Sequence, residues 1–255
     1  MPKFAANLSM LFTERPFLDR FDAAAEAGFK GVEFLFPYDF EAEQLAERLK
    51  KNRLQQALHN LPAGDWGAGE RGIACLPDRV GEFQNGVGKA ITYARALGCP
   101  KVNCLAGKLP PDADRTKARE TLVANLRFAA TELKKVGVML VVEAINTADI
   151  PGFFLSNTTQ TLGVLDEVGS DNVFYQYDIY HMQRMEGELA GTLKANIGRI
   201  GHIQLADNPG RHEPGTGEIN YDFLLPYIDT LGYDGWIGCE YVPAEGLGWM
   251  KRFAA

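Results

Sequence analysis

Short runs of β character alternate eight times with stretches of helical hydrophobic period, and this alternation constrains the fold more than any other feature of the chain. The β runs cover 3–9, 31–36, 54–60, 101–107, 138–144, 172–178, 199–207 and 235–241. After each of them, apolar residues recur at helical spacing, over 15–28, 40–52, 79–97, 114–137, 158–169, 186–196, 221–231 and 245–253. Parallel neighbouring strands need crossovers of a dozen or more residues, usually helical. Eight such units with no break in composition therefore predict an α/β chain closed into a single (β/α)8 TIM barrel, one domain over residues 1–255. A doubly wound sheet would need fewer strands and a switch point.

In such a barrel the carboxyl ends of the strands form the mouth where ligands bind. The run VMLVVEAIN raises the question of what lies there, because its apolar residues stop at Glu143, and a carboxylate at that depth is costly unless something positive meets it. The next three strands close on Asp178, Gln204 and Glu240, each about one βα unit after the last. A single acidic residue at a strand end is commonly a helix cap or a solvated loop residue. Three carboxylates converging on one half of a mouth repel one another and take up protons unless a cation sits between them. Glu143, Asp178, Gln204 and Glu240 are thus the expected metal ligands. Their all-oxygen set suits Mg2+ or Mn2+ better than Zn2+, which prefers His and Cys.

Inward alternation along the strands puts Gln176 and His202 one step below Asp178 and Gln204, where they either orient the ligands or form a self-contained polar pair. His181, in DIYHMQRMEG, is expected at the start of the loop beyond the sixth strand, in reach of a substrate. Arg211, in the loop ADNPGRHEPGTGEINY, is either a solvated residue or the partner of an anionic substrate.

The net charge of −7, without a Lys/Arg cluster, argues for no nucleic-acid partner and no membrane-surface partner. The amino-terminal MPKFAANLSMLF does not read as an export signal, and no apolar run approaches bilayer length. Cys75, Cys99, Cys104 and Cys239 form no C-x-x-C pair. Reduced, buried thiols in a cytoplasmic protein are the expectation. The segment GAGERG (67–72) matches G-x-G-x-x-G, but it lies beyond the third strand and opens no helix, so no nucleotide is expected. The pair Phe153 and Phe154 in PGFFL is expected in a lid over the mouth or, alternatively, on a partner surface.

The stretches AANLSMLF, GVEFLFPYD, LHNLPAGDWGAGERGIAC, YDIYHMQRMEGEL and GEINYDFL with GWIGCEY resemble the hydroxypyruvate isomerases of the xylose isomerase-like barrel superfamily, from Asn7 to the region of Trp249. The resemblance implies a metal held by Glu143, Asp178, Gln204 and Glu240, with Glu143 and Glu240 carrying the proton transfers. It implies a small keto or hydroxy acid as substrate, hydroxypyruvate giving tartronate semialdehyde, with a 2-oxo-tetronate isomerase as the nearest alternative. Moving a carbonyl to the adjacent carbon requires one proton to leave the hydroxyl-bearing carbon and another to reach the former carbonyl carbon, and a metal stabilises the enediolate between these steps. Glutamates on non-adjacent strands can flank a planar intermediate as base and acid in either order. The substrate carboxylate would meet Arg211 and His181.

Sugar 3-epimerases of the same superfamily carry a His in place of Gln204 and a second Glu six residues after the first. Gln204 and Asp149 stand there in this chain, so epimerase substrate rules do not transfer. Related endonucleases need many His ligands and a basic face, which four histidines and a net charge of −7 do not supply. A sugar-acid binding protein without catalysis leaves the two glutamates without a purpose. A homo-oligomer is the expected assembly.

Overall fold

The computed structural model describes residues 2–253, so residue 1 and residues 254 and 255 of the expected domain lie outside the described residues. Eight strands pair in parallel in chain order: β1 (Lys3–Asn7), β2 (Gly31–Glu33), β3 (Gln55–Asn60), β4 (Lys101–Cys104), β5 (Met139–Glu143), β6 (Val173–Asp178), β7 (Ile200–Leu205) and β8 (Trp236–Cys239). β8 pairs with β1 and closes the barrel, as the eightfold alternation predicts. Helices α1 (Arg20–Glu26), α2 (Ala42–Asn52), α3 (Val80–Leu97), α4 (Arg115–Lys134), α5 (Thr158–Val168), α6 (Ile179–Met185), α7 (Leu189–Asn196) and α8 (Tyr221–Thr230) follow the strands.

Local chemistry explains these elements. The wall strand β5 is almost wholly apolar because Leu140, Val141 and Val142 are buried whichever face they take, the usual state of a parallel strand covered on both sides. The amphipathic α2 buries Ala42, Leu45 and Leu49 on one stripe and leaves charge on the other. The amino end of α4 is fixed by Asp114, whose carboxylate accepts the backbone N–H groups of Thr116 and Lys117.

Several elements differ from the sequence expectation. β2 stops at Glu33 rather than continuing to Phe36, since the β2–β3 register slips between Val32 and Glu33. The expected helix over 186–196 shrinks to α7, while a separate helix, α6, forms ahead of it over Ile179–Met185; Gly187 and Glu188 both take positive φ and keep the two apart. The terminal helix over 245–253 is a 3-10 turn, Gly248–Phe253, whose Trp249 packs edge-on against Phe4. Phe153 and Phe154 do not form an open partner surface: both are buried, and Phe154 N–H donates to the Gly107 carbonyl at 2.9 Å. Among the glycines of GAGERG, Gly72 serves close packing. A Cβ on Gly72 would lie 2.3 Å from the Leu105 carbonyl oxygen, where the loops after β3 and β4 cross. All four cysteines are buried and unpaired, and among the described residues no helix is long and apolar enough to cross a membrane.

Candidate active site

Each of the eight strands delivers a buried polar side chain at or beside its carboxyl end: Asn7, Glu33, Asn60, Asn103, Glu143, Asp178, Gln204 and Glu240. The last four were legible as strand ends in the sequence; the first four were missed. Glu33 escaped because β2 reads three residues too long, which leaves it in mid-strand. Asn60 closes its run and looks like an ordinary turn residue, while Asn7 and Asn103 fall inside runs read too long, over 3–9 and 101–107, so none of the three gives a separate signal.

The missed residues hold the expected ones. Asn103 Nδ2 donates to Glu143 Oε2 at 2.9 Å and to Asn60 Oδ1 at 3.2 Å. Asn7 Nδ2 donates to Glu33 Oε1 at 3.0 Å and to Glu240 Oε2 at 3.3 Å. Glu33 is fully buried and also lies 2.7 Å from His202 Nε2, while Gln204 Nε2 donates to it at 2.8 Å and reaches Glu240 as well. His202 and Gln176 both face the interior as alternation predicts; Gln176 Nε2 donates to Gln204 Oε1 at 2.6 Å.

Asp178 plays two parts. Its Oδ1 caps α6 by accepting the Tyr180 and His181 backbone N–H groups at 2.8 and 3.3 Å. This cap starts the helix at once, so His181 stands in the first turn of α6 and not in a loop. Its Nε2 lies 3.6 Å from Asp178 Oδ2 and 3.9 Å from Glu143 Oε1. Asn146 holds the opposite edge of the ring, Nδ1, at 2.7 Å. Arg211 is no solvated loop residue. Its Nη2 lies 2.6 Å from Glu240 Oε1 and 3.9 Å from Asp178 Oδ2, and its guanidinium covers the Tyr180 ring at 5.1 Å. The loop that carries it is clipped down by Asp207, which accepts the Gly215 and Ile219 backbone N–H groups, and by the Val242 N–H on the Arg211 carbonyl.

Glu143, Asp178 and Glu240 therefore share one buried mouth with Arg211 as their nearest guanidinium. Burial, then repulsion from Glu240 and Asp178, raises Glu143 well above the usual carboxylate range. Burial likewise raises Asp178, against the pull of Arg211, and pushes Glu240 up to about 8. Burial, reinforced by Arg211, holds the His181 imidazole well below its ordinary pKa.

This cluster fits a hard divalent cation. Asp178 Oδ2 is buried with no hydrogen-bond partner among the described residues, and one atom each of Glu143, Asp178 and His181 lie within 4.8 Å of one another. Glu143 and Asp178 have oxygens to offer as they stand. Glu240 is engaged by Arg211 and Gln204, and Gln204 turns its amide nitrogen to Glu240 and its carbonyl to Gln176. A carbonyl ligand from Gln204 requires that amide to turn over and Gln176 to turn with it, so that Gln176 Oε1, now buried without a partner, accepts the Gln204 N–H.

The family model described as xylose isomerase-like TIM barrel matches residues 21–253. The chain is 57% identical to the protein named hydroxypyruvate isomerase of Escherichia coli (strain K12), over 99% of this chain and 100% of that one. The chain belongs to the xylose isomerase-like TIM barrel family. Its likeness to hydroxypyruvate isomerases, read first from motifs, extends over the full length, and like these relatives it is an enzyme of the isomerase kind. A protein named 2-oxo-tetronate isomerase from Cupriavidus necator is 51% identical, over 99% of each chain. A crystal structure from Brucella melitensis described as an AP endonuclease, family 2, superposes with a TM-score of 0.97 at 44% identity, covering all of both chains.

Proposed function

We propose that this member of the family is a metal-assisted isomerase that interconverts hydroxypyruvate and tartronate semialdehyde (2-hydroxy-3-oxopropanoate) through an enediolate. The observation that carries this reading is the pairing of Glu143 and Glu240, buried at the ends of two non-adjacent strands and both raised above the usual carboxylate range. The reaction moves a carbonyl between adjacent carbons. A proton leaves the hydroxyl-bearing C3, another arrives at C2, and the hydroxyl hydrogen passes from O3 to O2. Carboxyl groups whose pKa values are lifted toward neutrality can both hold and release protons at working pH. Because the reaction is reversible, the glutamate that is base in one direction is acid in the other.

Glu143, Asp178 and Glu240 would hold the cation, joined by the Gln204 carbonyl after its amide turns over. Mg2+ or Mn2+, when bound, supplies positive charge that stabilises negative charge developing on substrate oxygens. Arg211 offers the substrate carboxylate a charge-assisted, forked partner, and His181 offers a substrate oxygen a hydrogen bond. Four buried, unpaired cysteines support a reducing, cytoplasmic setting.

The test is proton NMR of hydroxypyruvate in D2O with the Mg2+-loaded protein. Appearance of tartronate semialdehyde, with solvent deuterium at the transferred position, is the expected result, and no conversion under any divalent metal would sink the reading. The 51% identical relative favours a second reading, in which the four-carbon 2-oxo-tetronate is the better substrate. Faster turnover of that acid in the same assay would select it. A nuclease reading draws on the Brucella structure's description, but the net charge of −7 and a total of four histidines in the sequence oppose it. An abasic duplex should stay unnicked.

A further inference from the structure

His181 is the one residue of the cation-sized cluster whose chemistry depends on where a hydrogen sits. A neutral imidazole carries N–H on one nitrogen and a lone pair on the other. With the lone pair on Nε2, that nitrogen could ligate a metal or take a proton; with N–H there, Nε2 can do neither. The surroundings of the opposite nitrogen, Nδ1, decide between the two.

Asn146 makes three contacts in the turn after β5. The Asp149 backbone N–H points at Asn146 Oδ1, 2.8 Å away. A backbone N–H can only donate, so this contact fixes which end of the amide is oxygen. The other end is then an NH2 group with two hydrogens and two acceptors in reach: Asp149 Oδ2 at 3.0 Å and His181 Nδ1 at 2.7 Å. Turning the amide over would set NH2 against the Asp149 N–H and oxygen against the Asp149 carboxylate, losing both contacts. Asp149 is itself anchored, since Tyr180 Oη donates to its Oδ2 at 2.8 Å and Arg184 pairs with its Oδ1. Asn146 and His181 are buried, so solvent does not compete for the contact at Nδ1, although Asp149 and Arg184 at the outer end of the chain are exposed.

We propose that Asn146 locks His181 in the tautomer with a bare Nδ1 and a hydrogen on Nε2, making it a neutral hydrogen-bond donor to a substrate oxygen and neither a metal ligand nor a base. Nε2–H then points toward the space bounded by Asp178 Oδ2 and Glu143 Oε1. A developing oxyanion entering that space meets a preorganised donor that loses no proton to it. Asn146 is the positioning residue, acting only through the imidazole. The part concerning substrate rests on the isomerase reading; the tautomer does not.

The experiment is long-range proton–nitrogen correlation NMR of the full-length protein labelled at histidine nitrogen, with His181→Gln identifying the resonance among the four histidines. Expected for the wild type are a pyridine-type Nδ1 and a pyrrole-type Nε2, unchanged when Mg2+ is added. A pyrrole-type Nδ1, or an Nε2 that moves to a metal-bound shift with Mg2+, overturns the proposal without any variant. Asn146→Asp keeps the acceptor for the Asp149 N–H but removes the donor to His181. It should put a hydrogen on Nδ1 and cut kcat for hydroxypyruvate by about 100-fold. A retained wild-type ring pattern in a folded Asn146→Asp protein also overturns it. If the tautomer is as stated yet no hydroxypyruvate is converted by the wild type, the isomerase reading fails and the assignment of the ring stands.

Discussion

On the proposed function, Glu143 and Glu240 are residues that cost the fold stability and serve the chemistry. Each is a buried carboxyl group facing others, so the metal-free protein bears both desolvation and repulsion at this point. Glu143→Gln preserves the shape and the hydrogen bond with Asn103 through its oxygen while removing the ionisable group. It is expected to lower kcat by at least 10³-fold, as loss of a group that transfers a proton does. The same change should leave metal-free stability equal or raise it by about 1 kcal/mol. Glu240→Gln should behave alike in turnover, although it also frees Arg211. Turnover within 10-fold of wild type in either variant, with circular dichroism confirming the fold, would remove the two-glutamate mechanism.

Secondary-structure elements were legible in proportion to how strongly periodicity marked them. The long α3 and α4 and the apolar β5 lie within a residue or a few of their expected bounds, because burial on a whole face imposes a pattern on many positions at once. Short pieces were not: three-residue β2 offers too few positions for a pattern, and the break between α6 and α7 depends on the backbone at Gly187 and Glu188. The error in β2 hid Glu33, the carboxylate that Asn7, His202 and Gln204 surround. Its place depends on another element, since β8 carries Gly238 directly opposite. A Cβ there would lie 2.3 to 2.5 Å from the Glu33 carboxylate, which three partners prevent from moving aside. Gly238→Ala should therefore cost about 1–3 kcal/mol in chemical denaturation. Combining it with Glu33→Ala, which vacates the same space, should cost clearly less than the two single changes added. Simple additivity would mean that β2 and β8 do not compete for this volume.

At the scale of the whole molecule, the barrel was legible because eight repeats of one unit leave few topologies, whereas the mouth was legible only over strands five to eight. A carboxylate announces itself by its cost where the strand end is read correctly, as at Glu143, and not where the strand is read too long, as at Glu33. That cost sets how the entire fold responds to pH. A carboxyl group whose folded pKa is raised binds a proton in the native state at pH values where the unfolded chain has lost it, so its stabilisation is fully present below the unfolded value and is lost as pH rises through the folded one. With Glu240 at about 8 against an ordinary value of 4.5, the window runs from near pH 4.5 to 8. Between pH 6 and 8 this single group would remove about 2 kcal/mol of stability from the metal-free protein, by the linkage of about 1.4 kcal/mol per unit. The buried His59, lowered to about 4 by desolvation, acts with the opposite sign, but its effect is nearly complete by pH 6.5. Denaturant melts of chelated protein should thus weaken from pH 6 to 8, and Glu240→Gln should flatten that slope. Adding Mg2+ or Mn2+ should reverse it, because the cation binds the deprotonated carboxylates and gains affinity as pH rises. A wild-type slope that is indifferent to both the substitution and the metal would show that these carboxylates are neither protonated in the free protein nor ligands in the loaded one.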